Sequence, residues 1–143
     1  MSSQVIGEFN VSVTVVNVDG LTARLERGGK KARQAILDAV GESAARLEQR
    51  TIDLCPKRSF YMSEHVRTDF SDKGFVFETG WDARDFEGTT DENGRPRSFY
   101  PVFVELGTRK MAAQPSLSIA FAEEEPRYKA ALDDALRRAL DNA

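Results

Sequence analysis

The chain has 143 residues, 41% of them hydrophobic and 30% charged, with a formal net charge of −3. This length supports one domain whose core needs no covalent staples, and a single cysteine (Cys55) and a single histidine (His65) exclude an internal disulfide and zinc sites built from several such ligands. No apolar run approaches the ~18 residues that span a bilayer, Met1–Gln4 lacks the basic-then-apolar pattern of a secretory leader, and the slight acidity disfavours a globally basic nucleic-acid binder.

Val5, Phe9, Val11, Val13 and Val15 share one parity, with Glu8, Asn10, Ser12 and Thr14 between them. Period two with β-branched residues predicts a half-buried strand. Asn17-Val18-Asp19-Gly20 supplies turn residues that end it, so residues 1–20 read as an N-terminal strand or arm. A helical pattern follows, broken at Gly28-Gly29. From Lys30 to Leu54, Ala32, Ile36, Val40, Ala44, Leu47 and Leu54 recur at helical steps, with one gap at Thr51. They predict a long amphipathic helix, and Pro56 stops it, because a residue before proline avoids the α region.

Aromatic residues crowd the middle: Phe60, Tyr61, Phe70, Phe75, Phe77, Trp81, Phe86, Phe99, Tyr100 and Phe103. Gly74–Trp81 reads as a strand bounded by glycines. Ser98–Leu106 reads as a second strand, with Pro101 at its start or on an edge. Between them, residues 82–97 form a long acidic loop with a turn at Asn93-Gly94. Pro115–Glu125 reads as a short helix, and Pro126 suits the first turn of the next. That last helix carries a stripe of Tyr128, Ala131, Leu132, Ala135, Leu136, Ala139 and Leu140. The pattern is a single α+β domain over 1–143, in which a long N-terminal helix and a C-terminal helix pack on a small antiparallel sheet.

Catalytic chemistry finds little support. Glu78, Asp82, Asp85, Glu87, Asp91 and Glu92 cluster in sequence, but their spacing is not that of a calcium loop. Such runs normally face water; a hydrolase using Glu78, Asp82 or Asp85 has no substrate suggested by the sequence. The basic run Arg24, Arg27, Lys30, Lys31 and Arg33 has three readings: a phosphate-contacting patch, a protein contact, or the polar start of the long helix. Basic residues there oppose the helix macrodipole, which hints at a use. Cys55 stands at a helix C-terminus, the wrong end to activate a thiol, and reads as a small buried hydrophobe. His65 has no evident orienting partner. No nucleophile elbow, phosphate loop or dinucleotide fingerprint is present.

The most informative stretch runs from Phe99 to Pro115. Glu105 is the sole carboxylate in it, and burying it unpaired is costly; Arg109 and Lys110, of the same chain or of another copy, are its expected partners. Gly107 permits a left-handed or closely approached backbone. The residues Tyr100, Phe103, Val104, Glu105, Gly107, Thr108, Lys110, Met111, Ala113, Pro115 and Ala120, in that order, resemble the signature of a siphophage tail-component family. That pattern is a tyrosine, a small residue and an aromatic, then Val-Glu-aromatic-Gly-Thr. A basic residue, Ala-x-Pro-Phe and an alanine-bearing helix follow it. The long helix ending at Cys55-Pro56 also matches in order. The chain departs from the pattern at Pro101, Leu106, Ser116 and Ser59–Met62. The resemblance covers roughly residues 30–140.

The resemblance implies a virion protein of the neck or tail without catalytic turnover or cofactor. It is expected to be a head-to-tail connector or tail-completion component, with six copies in a ring. A head-closure or stopper protein would bind one face, and a tail-terminator or tail-tube protein the other. DNA would pass through the lumen without specific binding. The subunit-interface residues expected are Tyr100, Phe103, Glu105, Gly107, Thr108, Arg109, Lys110 and Pro115, with loss of Glu105 weakening assembly more than folding. The alternative is a small, non-enzymatic protein-binding module acting through its acidic loop. Acidic 82–92 and basic 24–33 are candidate complementary patches.

Overall fold

The computed structural model describes residues 11–15, 21–57 and 60–141. Val5 and Phe9, the Asn17–Gly20 turn, and the side chains of Arg24, Arg27, Ala139 and Leu140 lie outside the described residues. In chain order the elements are β1 (Val11–Val15), α1 (Leu21–Leu54), the single turn α2 (Tyr61–Glu64), β2 (Arg67–Ser71), β3 (Val76–Trp81), α3 (Pro101–Leu106) and α4 (Ser116–Asp141). The fold is α+β, as the sequence predicts, with the two long helices packed together and a small antiparallel sheet beside them.

The sheet order is β1-β3-β2. β3 takes the centre because it is buried along most of its length: Phe77, Thr79 and Trp81 are inaccessible to solvent. Val13 lies opposite Thr79, and Phe70 opposite Phe77. Strand β2 has no counterpart in the sequence reading. Its Arg-Thr-Asp-Phe-Ser run shows no alternation, because it is an edge strand with only Thr68 half-buried.

The break at Gly28-Gly29 appears as a local departure from helical geometry at Gly29, φ 70° and ψ −161°. Beyond it, Ala32, Ile36, Val40, Ala44 and Leu47 are buried against a core that includes Leu117, Tyr128, Leu132 and Leu136 of α4. Each large side chain so buried contributes about 1.5–3 kcal/mol. The helices run antiparallel: Arg50 pairs with Glu123, and Arg46 with Glu124. Toward the N-terminal part of α1, Lys31 and Asp38 share a groove with Asp134 and Arg138.

Two expectations are overturned. Pro126 does not start a new helix; it sits inside α4, exposed to solvent. A proline interior to a helix costs ~3 kcal/mol. Here one buried face continues on both sides of it, Ala120 and Glu124 before and Tyr128 and Leu132 after, and holds the helix through. Residues 98–106 are not a strand. Pro101 occupies the first turn of helix α3, where its missing N–H is harmless. Gly107 then closes that helix at φ 79°, donating its N–H to Phe103 O over 2.8 Å.

Candidate interface at the end of the helix pair

Helix α3 inverts the usual arrangement of apolar and charged residues. Pro101 and Glu105, four residues apart, face inward and are buried. Phe103 and Leu106 face outward, 51% and 78% exposed. The buried Glu105 does not pair with Arg109 or Lys110. Its Oε1 accepts from Ser116 Oγ at 2.9 Å and from the Leu117 N–H at 2.7 Å, and its Oε2 accepts from Ser118 Oγ at 3.3 Å. It therefore caps the first turn of α4 from another helix. Amides left without intrahelical partners, together with the positive end of the helix dipole, suit a carboxylate. Cys55 Sγ lies 3.7 Å from Ser116 Oγ, so the end of α1 joins the same network. Burial raises the Cys55 thiol pKa, in keeping with a packed, unreactive thiol.

The residues after α3 form a tight turn. Thr108 donates its N–H to Met111 O at 2.8 Å, and its hydroxyl accepts from the Lys110 and Met111 amides. Gln114 N–H returns to Val104 O at 2.7 Å. A Cβ on Gly107 would stand 2.8 Å from Ala113 N, so glycine is required there for space as well as for φ. The turn presents Arg109, Lys110 and Met111 to solvent, while Pro115 is half-buried. Tyr100 packs edge-on against buried Phe86, with ring centroids 5.1 Å apart. Pro56, Met62, Tyr100, Phe103, Val104 and Met111 line an open, mainly apolar cleft of about 410 Å³.

Of the expected interface residues, then, Phe103, Thr108, Arg109 and Lys110 are exposed, Tyr100 and Pro115 are partly buried, and Gly107 shapes the turn. Glu105 belongs to the interior of its own protomer. The sequence reading did not single out Leu106 or Ile119, although both are exposed here. A helical rather than strand period over 101–106 places Leu106 beside Phe103.

Two carboxylates at the start of the acidic loop, Asp82 and Asp85, are paired with arginines. Asp82 is 2% exposed rather than solvated. Arg84 grips it, with Nη2 2.6 Å from Oδ2, and lowers its carboxyl pKa below the usual range. Asp85 pairs with Arg67 at 2.7 Å. Asp91 Oδ1 accepts from the Asn93 and Arg95 amides, building the predicted turn at Asn93-Gly94. Glu87 and Glu92 remain exposed. His65 does have partners: its ring stacks on Tyr61 with centroids 3.9 Å apart, and Nδ1 donates to Tyr61 O. Of the basic run, Lys30, Lys31 and Arg33 are exposed, and the Arg33 guanidinium lies 5.4 Å from the Phe75 ring centroid. Among the described residues no three His, Cys, Asp or Glu side chains gather where a metal ion would be held, and no helix is long and apolar enough to cross a membrane.

Compared with models of protein families, with curated proteins and with solved structures, the chain matches none.

Proposed function

We propose that the chain is a structural virion protein of a tailed phage. In this reading it is a head-to-tail connector or tail-completion component of the neck or tail, forming a homo-oligomeric ring around the DNA channel, with six copies as the working number. It has no catalytic role and needs no cofactor. DNA slides through the lumen without specific contacts, and the two ring faces meet different neighbours, a closure protein and a tail-terminator or tube protein. One observation carries the reading. Of the six large apolar side chains exposed among the described residues, five (Phe60, Phe103, Leu106, Met111 and Ile119) lie where α1 ends and α4 begins. Such clustering marks a surface made to be covered. The short helix that presents Phe103 and Leu106 keeps its only carboxylate inside, so its outer face carries no negative charge. The pairing of Asp82 and Asp85 with Arg84 and Arg67 weakens the alternative, a binding module acting through its acidic loop.

Native mass spectrometry of the purified chain, with electron microscopy of the same sample, tests the proposal. The expected result is a closed ring with a central channel that joins tail components. A chain that stays monomeric at every concentration and never enters particles overturns it.

A further inference from the structure

The tip of the 82–97 loop carries a chemistry independent of the assembly reading. Of the four asparagines in the chain, Asn93 alone precedes a glycine. The side-chain carbonyl carbon of an asparagine is open to attack by the backbone nitrogen of the next residue, and a glycine there has no Cβ to hinder the approach. That nitrogen gives up its proton, a C–N bond forms, and the side-chain nitrogen leaves as ammonia. Water then opens the cyclic imide at either carbonyl. The product is aspartate or, where the backbone now runs through the side chain, isoaspartate. Water is the only co-reactant. Valine follows Asn10 and Asn17, and alanine follows Asn142; each has a Cβ in the way.

The surroundings of Asn93 both expose it and restrain it. Asn93 and Gly94 are open to water. The attacking nitrogen, however, is engaged: the Gly94 N–H donates to Asp91 O at 3.0 Å, and Gly94 turns the chain with φ 75°. Asp91 Oδ1 accepts from the Asn93 and Arg95 amides, both at 2.9 Å, and the Asp91 N–H donates to Arg95 O at 2.8 Å. Behind them, Thr90 bridges to Pro96, and the Arg97 N–H donates to Thr89 O at 3.0 Å. Asp91 thus fastens the turn on both sides of the reacting pair.

We infer that Asn93 is a deamidation site held in check by the fold, and that Asp91 is the residue that restrains it. A backbone N–H that already donates a hydrogen bond gives up its proton less readily, and its nitrogen is not free to swing toward Asn93 Cγ. Reaction therefore proceeds from the opened turn, at a rate set by how often local opening occurs. The product does not fit the turn it leaves. Isoaspartate adds a methylene to the backbone between residues 93 and 94 and shifts Asp91 and Arg95 out of register. Either product adds a negative charge beside Asp91 and Glu92.

Peptide mapping by mass spectrometry of the full chain, held at mildly alkaline pH, measures conversion at Asn93 against time. The folded wild type should convert more slowly than the same chain unfolded in guanidinium chloride, by about tenfold or more, because the hydrogen bonds of the turn must break first. Asp91→Ala, with an unchanged circular dichroism spectrum, should convert about tenfold faster than the folded wild type, having lost two hydrogen bonds to a carboxylate. Asp91→Asn keeps an acceptor oxygen and should convert more slowly than Asp91→Ala. Hydrogen exchange at the Gly94 amide reads the same opening without any substitution, and that amide should be protected in the wild type. Equal rates in the folded and unfolded chain, or an unprotected Gly94 amide, overturn the restraint. A folded Asp91→Ala chain that converts at the wild-type rate overturns the part given to Asp91. Conversion in guanidinium chloride at Asn10, Asn17 or Asn142 with Asn93 intact overturns the site itself.

Discussion

Glu124 and Glu105 are both buried carboxylates, yet the regions around them follow opposite plans. Glu124, 4% exposed, sits midway along the helix pair. It accepts three hydrogen bonds from the guanidinium of Arg46, at 2.7, 3.0 and 3.2 Å, and one from Ser43 at 2.7 Å. Charge meets charge there, and the outer surface of the pair is polar, with Lys31, Asp38, Glu42, Asp134 and Arg138 along the groove. Glu105 has no cation among its hydrogen-bond partners. Two serine hydroxyls and a helix-terminal amide satisfy it, while the outer face of its own helix is apolar. The helix pair is finished as a surface for water. The end of the pair presents the apolar side chains Phe103 and Leu106 instead.

Substitutions sharpen that contrast. The largest stability loss is expected from Glu124→Ala, about 3 kcal/mol by chemical denaturation. Two helices lose their shared charge pair, and Ser43 is left buried without its acceptor. Arg46→Ala should cost about as much, because it leaves the buried Glu124 carboxylate with Ser43 but without its cation. Glu105→Ala should follow at about 2 kcal/mol, since a cap is lost and the Leu117 amide is left buried. Hydrogen exchange should show the first turn of α4 opening first, with Glu105→Gln intermediate. A loss confined to assembly, with stability intact, would break the distinction between the two regions. Gly107→Ala should cost about 1–2 kcal/mol, for a positive φ and a backbone clash together.

Acid titration probes a third carboxylate. Arg84 lowers the folded-state pKa of Asp82, so the folded state releases that proton more readily than the unfolded chain, whose carboxyl titrates near ~3.9. Unfolding therefore takes up a proton in this window, and stability rises with pH through it. The contribution is present above the ordinary carboxylate range and is lost as pH falls below it. Arg84→Ala should flatten this part of the pH–stability curve. The smallest stability effect is expected from Leu106→Ser, within about 0.5 kcal/mol, as for most exposed sites. Its reading is in association, measured by sedimentation, where the loss should be large.

Helix α1, the stripe of α4 beyond Pro126 and the central strand are legible in the sequence because periodicity survives where one face is continuously buried, whereas the continuity of α4 through Pro126 is not. Ile36, Val40 and Leu47 in α1 and Phe77, Thr79 and Trp81 in β3 show such burial. Strand β2 is not legible either, because its side chains are mostly exposed and the pairing partner β3 alone defines it. Helix α3 was misread because Val102, Phe103 and Val104 have strand preferences and six residues are too few to show a helical period. The signals that decide it are Pro101 at the start and the positive φ of Gly107 at the end. Residue types alone single out the Phe99–Pro115 segment, but the direction of Glu105 depends on a helix that begins eleven residues later, at Ser116.

That dependence has a mechanical consequence. Glu105 on one side of α3 holds the start of α4, and Phe103 and Leu106 on the other side meet whatever lies outside. The six-residue helix thus works like a key in a lock. A neighbour that turned it by a single residue would withdraw the carboxylate from the α4 amides and loosen the seam between the two long helices.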